Sequence, residues 1–226
     1  MPIFDTVLSR RVKLPFRLSL PKGYAEKAAQ GETFPLLLFL HGMGERGTNL
    51  QRLSATGLPK LLDEGLELPF LVLMPLCPED SFWNDEHEAL HALVEYITEN
   101  YAVDASRRAI TGLSMGGFGT YEMLTRYPQM FSAGVPICGG IGSLYTRFFL
   151  ENLKEIPLWI FHGRLDEQVP VEESLTIHDR LLKLGAQGVK LTVYDDLNHD
   201  SWSATYANPQ VYDFLLEPRL QADSQI

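Results

Sequence analysis

The chain reads as an α/β protein, with a mostly parallel central sheet covered by helices on both faces. Strand-length apolar runs such as Phe34-Pro35-Leu36-Leu37-Leu38-Phe39-Leu40 and Pro157-Leu158-Trp159-Ile160-Phe161 show no polar alternation. Such strands are buried on both faces, as in parallel sheets. Segments of helical period separate them, so strand and helix come by turns. The residues best equipped for chemistry stand directly after strands, where open parallel sheets bind their ligands. With 226 residues and 45% hydrophobic content, one domain spanning 1–226 is expected, with room for a large core.

The elements follow in order. Val12 to Leu20 alternates apolar and other residues, which predicts a strand with one buried face. Pro15 cannot donate to a ladder, so that strand belongs at an edge. Further strands are expected near 35–40, 70–75, 108–113, 133–138, 157–162 and 189–194, and helices near 50–64, 85–100, 115–127, 171–184 and 208–216. There is no internal repeat and no low-complexity tract. Gln221 to Ile226 are expected to fray.

The most informative local feature is Gly112-Leu113-Ser114-Met115-Gly116, between the run ending at Thr111 and the helical stretch from Phe118 to Tyr127. A serine hydroxyl is a poor nucleophile unless it stands clear of its neighbours, beside a base and backbone NH donors. A strained strand-to-helix turn achieves this by forcing the serine towards positive φ. Neighbours two positions away on either side must then lack side chains, a demand that Gly112 and Gly116 meet. Upstream, the 34–40 strand ends in His41-Gly42-Met43-Gly44-Glu45-Arg46-Gly47, a loop suited to presenting an oxyanion donor. Downstream, His162-Gly163-Arg164-Leu165-Asp166 follows one strand and Asp195-Asp196-Leu197-Asn198-His199 follows another. Ser114 as nucleophile, Asp166 as acid and His199 as base then stand in the α/β-hydrolase order.

Taken together, these pieces resemble a compact α/β-hydrolase of the carboxylesterase, lysophospholipase and dienelactone-hydrolase-like group. The resemblance is carried by His41-Gly42-x-Gly44-Glu45-Arg46-Gly47, Gly112-Leu113-Ser114-Met115-Gly116-Gly117, Phe161-His162-Gly163-x-x-Asp166 with Val169-Pro170, and Asn198-His199-x-x-Trp202. It covers most of the chain from about Phe34 onwards. Dienelactone hydrolases proper use a cysteine nucleophile, so the serine here separates the chain from lactone activity. The expected oxyanion donors are the backbone NH groups of Met43 and Met115, with Gly44 as the alternative to Met43. No cofactor and no metal are called for. The expected substrate is a small-molecule ester, and no residues are assigned to its binding.

Rivals remain at several positions. His162 competes as base but lies at a strand end, where packing beneath the loop is expected. Asp195 and Asp196 compete as acid because they are close to His199 in sequence. His87-Glu88-Ala89-Leu90-His91 spells a zinc-protease motif. Leu90, Leu93, Val94 and Ile97 form that helix's apolar stripe, however, so His87 and His91 are expected on its solvated flank. A peptidase or amidase would use the same residues, and a ligand-binding module without catalysis would use the same fold.

Net charge −10 argues against nucleic-acid and anionic-membrane partners. Met1-Pro2-Ile3-Phe4-Asp5 opens no targeting segment, and no apolar stretch is long enough to span a bilayer, which predicts a cytoplasmic protein. Cys77 and Cys138 are expected as buried free thiols rather than one bridge. Oligomeric state has no signature in the chain. Fewer than twenty residues separate Cys138 from Pro157, too few for a large lid, and Tyr145, Phe148 and Phe149 either line a shallow acyl pocket or anchor a short helix.

Overall fold

A computed structural model describes residues 3–6 and 9–217. Its strands are β1 (Phe16–Ser19), β2 (Phe34–Leu40), β3 (Leu71–Pro75), β4 (Val103–Leu113), β5 (Ala133–Ile137), β6 (Leu158–Gly163) and β7 (Val189–Tyr194). They form one sheet in the order β1-β3-β2-β4-β5-β6-β7. Every pairing is parallel except β1 with β3. The helices are α1 (Tyr24–Ala29), α2 (Gly57–Asp63), α3 (His87–Asn100), α4 (Met115–Arg126), α5 (Leu144–Phe148), α6 (Glu172–Lys183), α7 (Trp202–Ala207) and α8 (Pro209–Leu216). Together they make the α/β-hydrolase fold.

The continuous apolar strands divide their residues between two cores. From β2, Leu36, Leu38 and Leu40 enter a core with Leu90 and Val94 of α3, Tyr121 and Leu124 of α4, and Ile177 of α6. Leu37 and Phe39 point the other way, into a core with Leu58 of α2, Tyr206 of α7 and Val211 and Leu215 of α8. A period of two, with both faces covered, makes the whole strand read as hydrophobic.

Several expectations need correction. The 12–20 strand contracts to Phe16–Ser19, although it does lie at the sheet edge. Pro15 still contributes by accepting from Leu76 N at 2.8 Å. The single helix expected over 50–64 is broken: Leu50–Ala55 is a 3-10 helix, Thr56 is extended, and α2 starts at Gly57 with φ +65°. A Cβ at Gly57 would lie 2.7 Å from Leu113 Cδ2, so the break lets the chain pass against the end of β4. Strand β4 begins at Val103 rather than 108, because its polar start, including the Asp104–Arg107 ion pair, lacks an apolar signature. The short α1 and α7 were not foreseen, α5 is the short helix offered as one alternative for the segment holding Tyr145 and Phe148, and Gln221 to Ile226 lie outside the described residues.

One buried ion ties these elements together beside the sheet's carboxyl edge. Glu122 of α4 has a fully buried side chain and accepts from Asn84 Nδ2 at 3.1 Å, Ser143 Oγ at 2.5 Å and Thr146 Oγ1 at 2.7 Å, and from Arg126. Burial alone would raise the carboxyl's pKa, but the hydrogen bonds from Ser143, Thr146 and Arg126 outweigh it, and the net shift is downward. Replacing Glu122 with Gln leaves Arg126 without its anion and presents an NH2 where only acceptors fit. The expected loss is about 2–4 kcal/mol, measured by urea unfolding at neutral pH. Because the folded-state pKa is depressed, the gap between wild type and Glu122→Gln should be full above the unfolded carboxyl's pKa. It should close as pH falls through the folded value. A gap independent of pH under acid conditions would contradict an ionised Glu122.

Candidate active site

Ser114 joins β4 to α4 with φ 52° and ψ −117°, the positive φ that the turn requires. Its NH donates to Ile137 O at 2.9 Å, tying the turn to the end of β5. The glycines are needed because backbones meet here. A Cβ at Gly112 would lie 2.3 Å from Gly116 O, one at Gly116 would lie 1.9 Å from Leu40 O, and one at Gly117 would lie 2.6 Å from Ile137 O. Helix α4 therefore starts wedged against the ends of β2, β4 and β5, with the Ser114 side chain at their apex.

The structure brings Ser114, His199 and Asp166 into one hydrogen-bonded line. His199 Nε2 lies 2.9 Å from Ser114 Oγ, and His199 Nδ1 lies 2.7 Å from Asp166 Oδ2. The Asp166 Oδ1 atom accepts from Gln168 N and Val169 N, each at 2.9 Å. Burial would raise the pKa of Asp166, but the bonds from His199, Val169 and Gln168 prevail and lower it. An ionised Asp166 can only accept, so His199 carries its proton on Nδ1 and turns a bare Nε2 to the serine hydroxyl.

The competing residues lie elsewhere. His162 is fully buried: Nε2 donates to Val169 O at 2.9 Å, and Nδ1 accepts from Ser174 Oγ at 2.7 Å. It braces the 166–169 loop from beneath, with Asp166 Oδ2 3.3 Å from its Nε2. Asp195 is exposed and paired with Arg164 at 2.6 Å, and Asp196 is exposed, so neither hydrogen-bonds to His199. His87 and His91 are half-buried rather than solvated. His87 Nδ1 is 2.9 Å from the Tyr127 hydroxyl, and the His91 ring packs against the Tyr127 ring, tilted by 42° with centroids 4.5 Å apart.

The loop after β2 crosses directly over Ser114, since a Cβ at Gly42 would lie 2.9 Å from Leu113 Cδ1 and 3.8 Å from Ser114 Cβ. His41 holds its base. Cys77 N donates to His41 Nε2 at 3.0 Å, which leaves the ring proton on Nδ1 to donate to Gly42 O at 2.6 Å. Burial, the largest effect, lowers the His41 pKa to about 4, so this histidine is neutral at physiological pH. Trp83 Nε1 donates to His41 O at 2.9 Å, and Arg52 donates to Gly44 O and Arg46 O, each at 2.9 Å. Met43 starts a short 3-10 helix and Met115 starts α4, positions whose NH groups find no acceptor within their own helix. Both residues, with Ser114, Phe82, Asn84 and Phe118, line a cavity of about 350 Å³.

Trp83, Asn84, Arg52 and Glu122 were not singled out in the sequence. The run Phe82-Trp83-Asn84-Asp85, aromatic residues in a polar connection after a strand, carried a signal for Trp83 and Asn84, and no local pattern marked Arg52 or Glu122. Cys77 and Cys138 are both free and buried. Cys138 Sγ lies within 4.8 Å of ligand atoms of Asp166 and His199, and burial pushes the thiol up to about 12. Tyr145, Phe148 and Phe149 stay outside the cavity: Tyr145 packs under Arg126 at 4.1 Å and against Phe149 at 4.6 Å, while Phe148 is 73% exposed.

Residues 78–215 match the phospholipase/carboxylesterase family, and residues 8–139 match a second esterase family. An endo-1,4-beta-xylanase/feruloyl esterase of Xylanibacter ruminicola is 32% identical over 167 residues, 67% of this chain and 22% of that protein. Feruloyl esterase B of Neurospora crassa is 33% identical over 117 residues, 46% of this chain and 38% of that protein. The chain thus spans well under half the length of these relatives. Among solved structures, a thermostable esterase superposes with a TM-score of 0.77 at 32% identity, covering 92% of this chain and 60% of the other. The α/β-hydrolase topology and the match over 78–215 lead to one assignment: this chain belongs to the phospholipase/carboxylesterase family.

Proposed function

We propose that the protein is a serine carboxylesterase that hydrolyses short-chain, soluble acyl esters through an acyl-Ser114 intermediate. The observation that carries this reading is the line from Asp166 through His199 to Ser114, with spacings of 2.7 and 2.9 Å. In the first half-reaction Ser114 Oγ attacks the ester carbonyl while His199 Nε2 takes the hydroxyl proton. The imidazolium so formed is stabilised by the ionised Asp166. The carbonyl oxygen, now an oxyanion, is held by the backbone NH groups of Met43 and Met115. His199 passes its proton to the leaving alcohol, then activates a water that releases the acid and restores the serine. No step needs a cofactor or metal.

Limited enclosure supports the preference for short acyl groups. The connection from β5 to β6 carries only α5 and the Leu150–Leu153 turn, and the cavity keeps Met43 53% exposed and Phe82 45% exposed at its rim. Added methylenes would lie partly in water and gain less than the roughly 0.8 kcal/mol of full burial. We place this activity in one domain and in the cytoplasm, where the reducing environment preserves unpaired thiols such as Cys77 and Cys138. Among the described residues no helix is long and apolar enough to cross a membrane.

Ser114→Ala is expected to lose roughly four to six orders of magnitude in p-nitrophenyl butyrate hydrolysis while keeping its melting transition. Substantial turnover by the folded variant would remove the serine from its role. Asp166→Asn should cost roughly three to four orders of magnitude, whereas Asp195→Asn should stay near wild type. The reverse ranking would transfer the acid's role to the β7 loop. Across p-nitrophenyl esters, kcat/KM should peak at short acyl chains with no jump at micelle formation. Aminoacyl p-nitroanilides cleaved faster than any ester would instead identify a peptidase.

A further inference from the structure

The Asp166–Val169 loop separates two spaces. Val169 lines the cavity that holds Ser114, Met43 and Met115. Its neighbour Gln168 lines a second groove, of about 520 Å³, whose wall also includes Glu167, Asn198, His199, Asp200 and Trp202. The two spaces differ in chemistry. The first sets Met43, Phe82, Met115 and Phe118 beside Asn84 and Asp85. The second sets one indole ring and Leu165 beside two amides and two carboxylates, of which only Glu167 is uncommitted, Asp200 accepting from Ser203 N and Oγ.

We infer that the second groove receives the alcohol half of the ester, and that it fits a neutral, polyhydroxylated alcohol such as a sugar. This rests on the Ser114–His199 reading above. The proton leaving His199 Nε2 must reach the alcohol oxygen, so the alcohol has to stand beside His199 when the bond to the acyl carbon breaks. His199 is a wall of this groove, whereas the NH groups that hold the carbonyl oxygen belong to the first cavity.

The lining then selects the alcohol. The Glu167 and Gln168 side chains are exposed and make no hydrogen bond to another described residue, so both are available to hydroxyl groups. Asn198 uses Oδ1 to accept from Asp200 N at 3.1 Å, which leaves its NH2 as a donor. Trp202 is anchored by its Nε1 bond to Thr56 Oγ1 at 2.8 Å and by ring contact with His199 at 5.3 Å. A fixed aromatic surface beside carboxylate and amide groups suits the apolar face and hydroxyl rim of a sugar ring. Glu167 and Asp200 would repel an alcohol bearing phosphate, in a chain whose net charge is already −10.

The test compares three butyrate esters, those of ethanol, methyl glucoside at its 6-hydroxyl, and glycerol 3-phosphate, by kcat/KM. The glucoside ester should exceed the ethyl ester by at least about tenfold, and the phosphate ester should fall below it. In the double variant Glu167→Ala/Gln168→Ala the glucoside-to-ethyl ratio should drop towards one. Glu167→Lys should raise the phosphate-to-ethyl ratio. A wild-type glucoside-to-ethyl ratio near one, or a high ratio unchanged in the double variant, would overturn the groove's role while leaving the esterase intact. Absence of Ser114-dependent hydrolysis of all three esters would overturn both the groove and the reading beneath it.

Discussion

The left-handed backbone at Ser114 is the constraint on which the rest depends. A non-glycine residue at φ 52° costs of order 1–3 kcal/mol and persists only where its surroundings over-determine it. Here β4 is paired on both sides, by β2 and β5, and α4 is packed so tightly onto their ends that three positions admit no side chain. The same crowding brings the β2 loop over the serine and leaves Met43 and Met115 on one cavity wall. Strain at one residue and contact among three strand ends are thus one feature.

Around this turn, burial holds some groups neutral while hydrogen bonds keep others charged. His41 is held neutral by burial, and Cys138 keeps its proton because burial pushes its pKa to about 12. Asp166 stays ionised because two backbone NH groups and His199 serve its oxygens. Its negative charge is therefore directed at the His199 ring. His162 supports the arrangement indirectly: by bonding to Val169 O and Ser174 it fixes the loop whose amides hold Asp166. On the other flank, Glu122 joins α4 to Asn84 and to the Ser143–Thr146 turn, so the cavity wall is clamped by a second buried ion.

What the sequence made legible was whatever a local pattern must encode. The apolar runs of β2, β3, β5 and β6 located those strands within a residue or so, because burial on both faces demands that composition. The edge strand β7 was legible from Val189, Leu191, Val193 and Tyr194 despite its exposed Lys190. The glycines around Ser114 identified the turn, because only glycine tolerates such approaches. His199 and Asp166 were placed by chain order and by standing after strands, and the structure sets both in line with Ser114. The break at Gly57 was hidden because its cause, Leu113 pressed against the chain, is distant in sequence. The Glu122 cluster was hidden for the same reason: a mid-helix glutamate looks solvated until Asn84, Ser143 and Thr146 converge on it. His87 and His91 were misplaced because Tyr127, which covers them, belongs to another element.

The central claim, that Ser114 is an activated nucleophile, is tested most directly by mass spectrometry of the protein after brief exposure to diisopropyl fluorophosphate. The serine oxygen displaces fluoride, leaving a stable diisopropylphosphoryl ester. The account predicts one adduct per chain, mapped by peptide sequencing to Ser114, with esterase activity lost in proportion to labelling and with no adduct in His199→Ala. Full ester hydrolysis by unlabelled protein, or stoichiometric labelling at another residue with Ser114 unmodified, would contradict it.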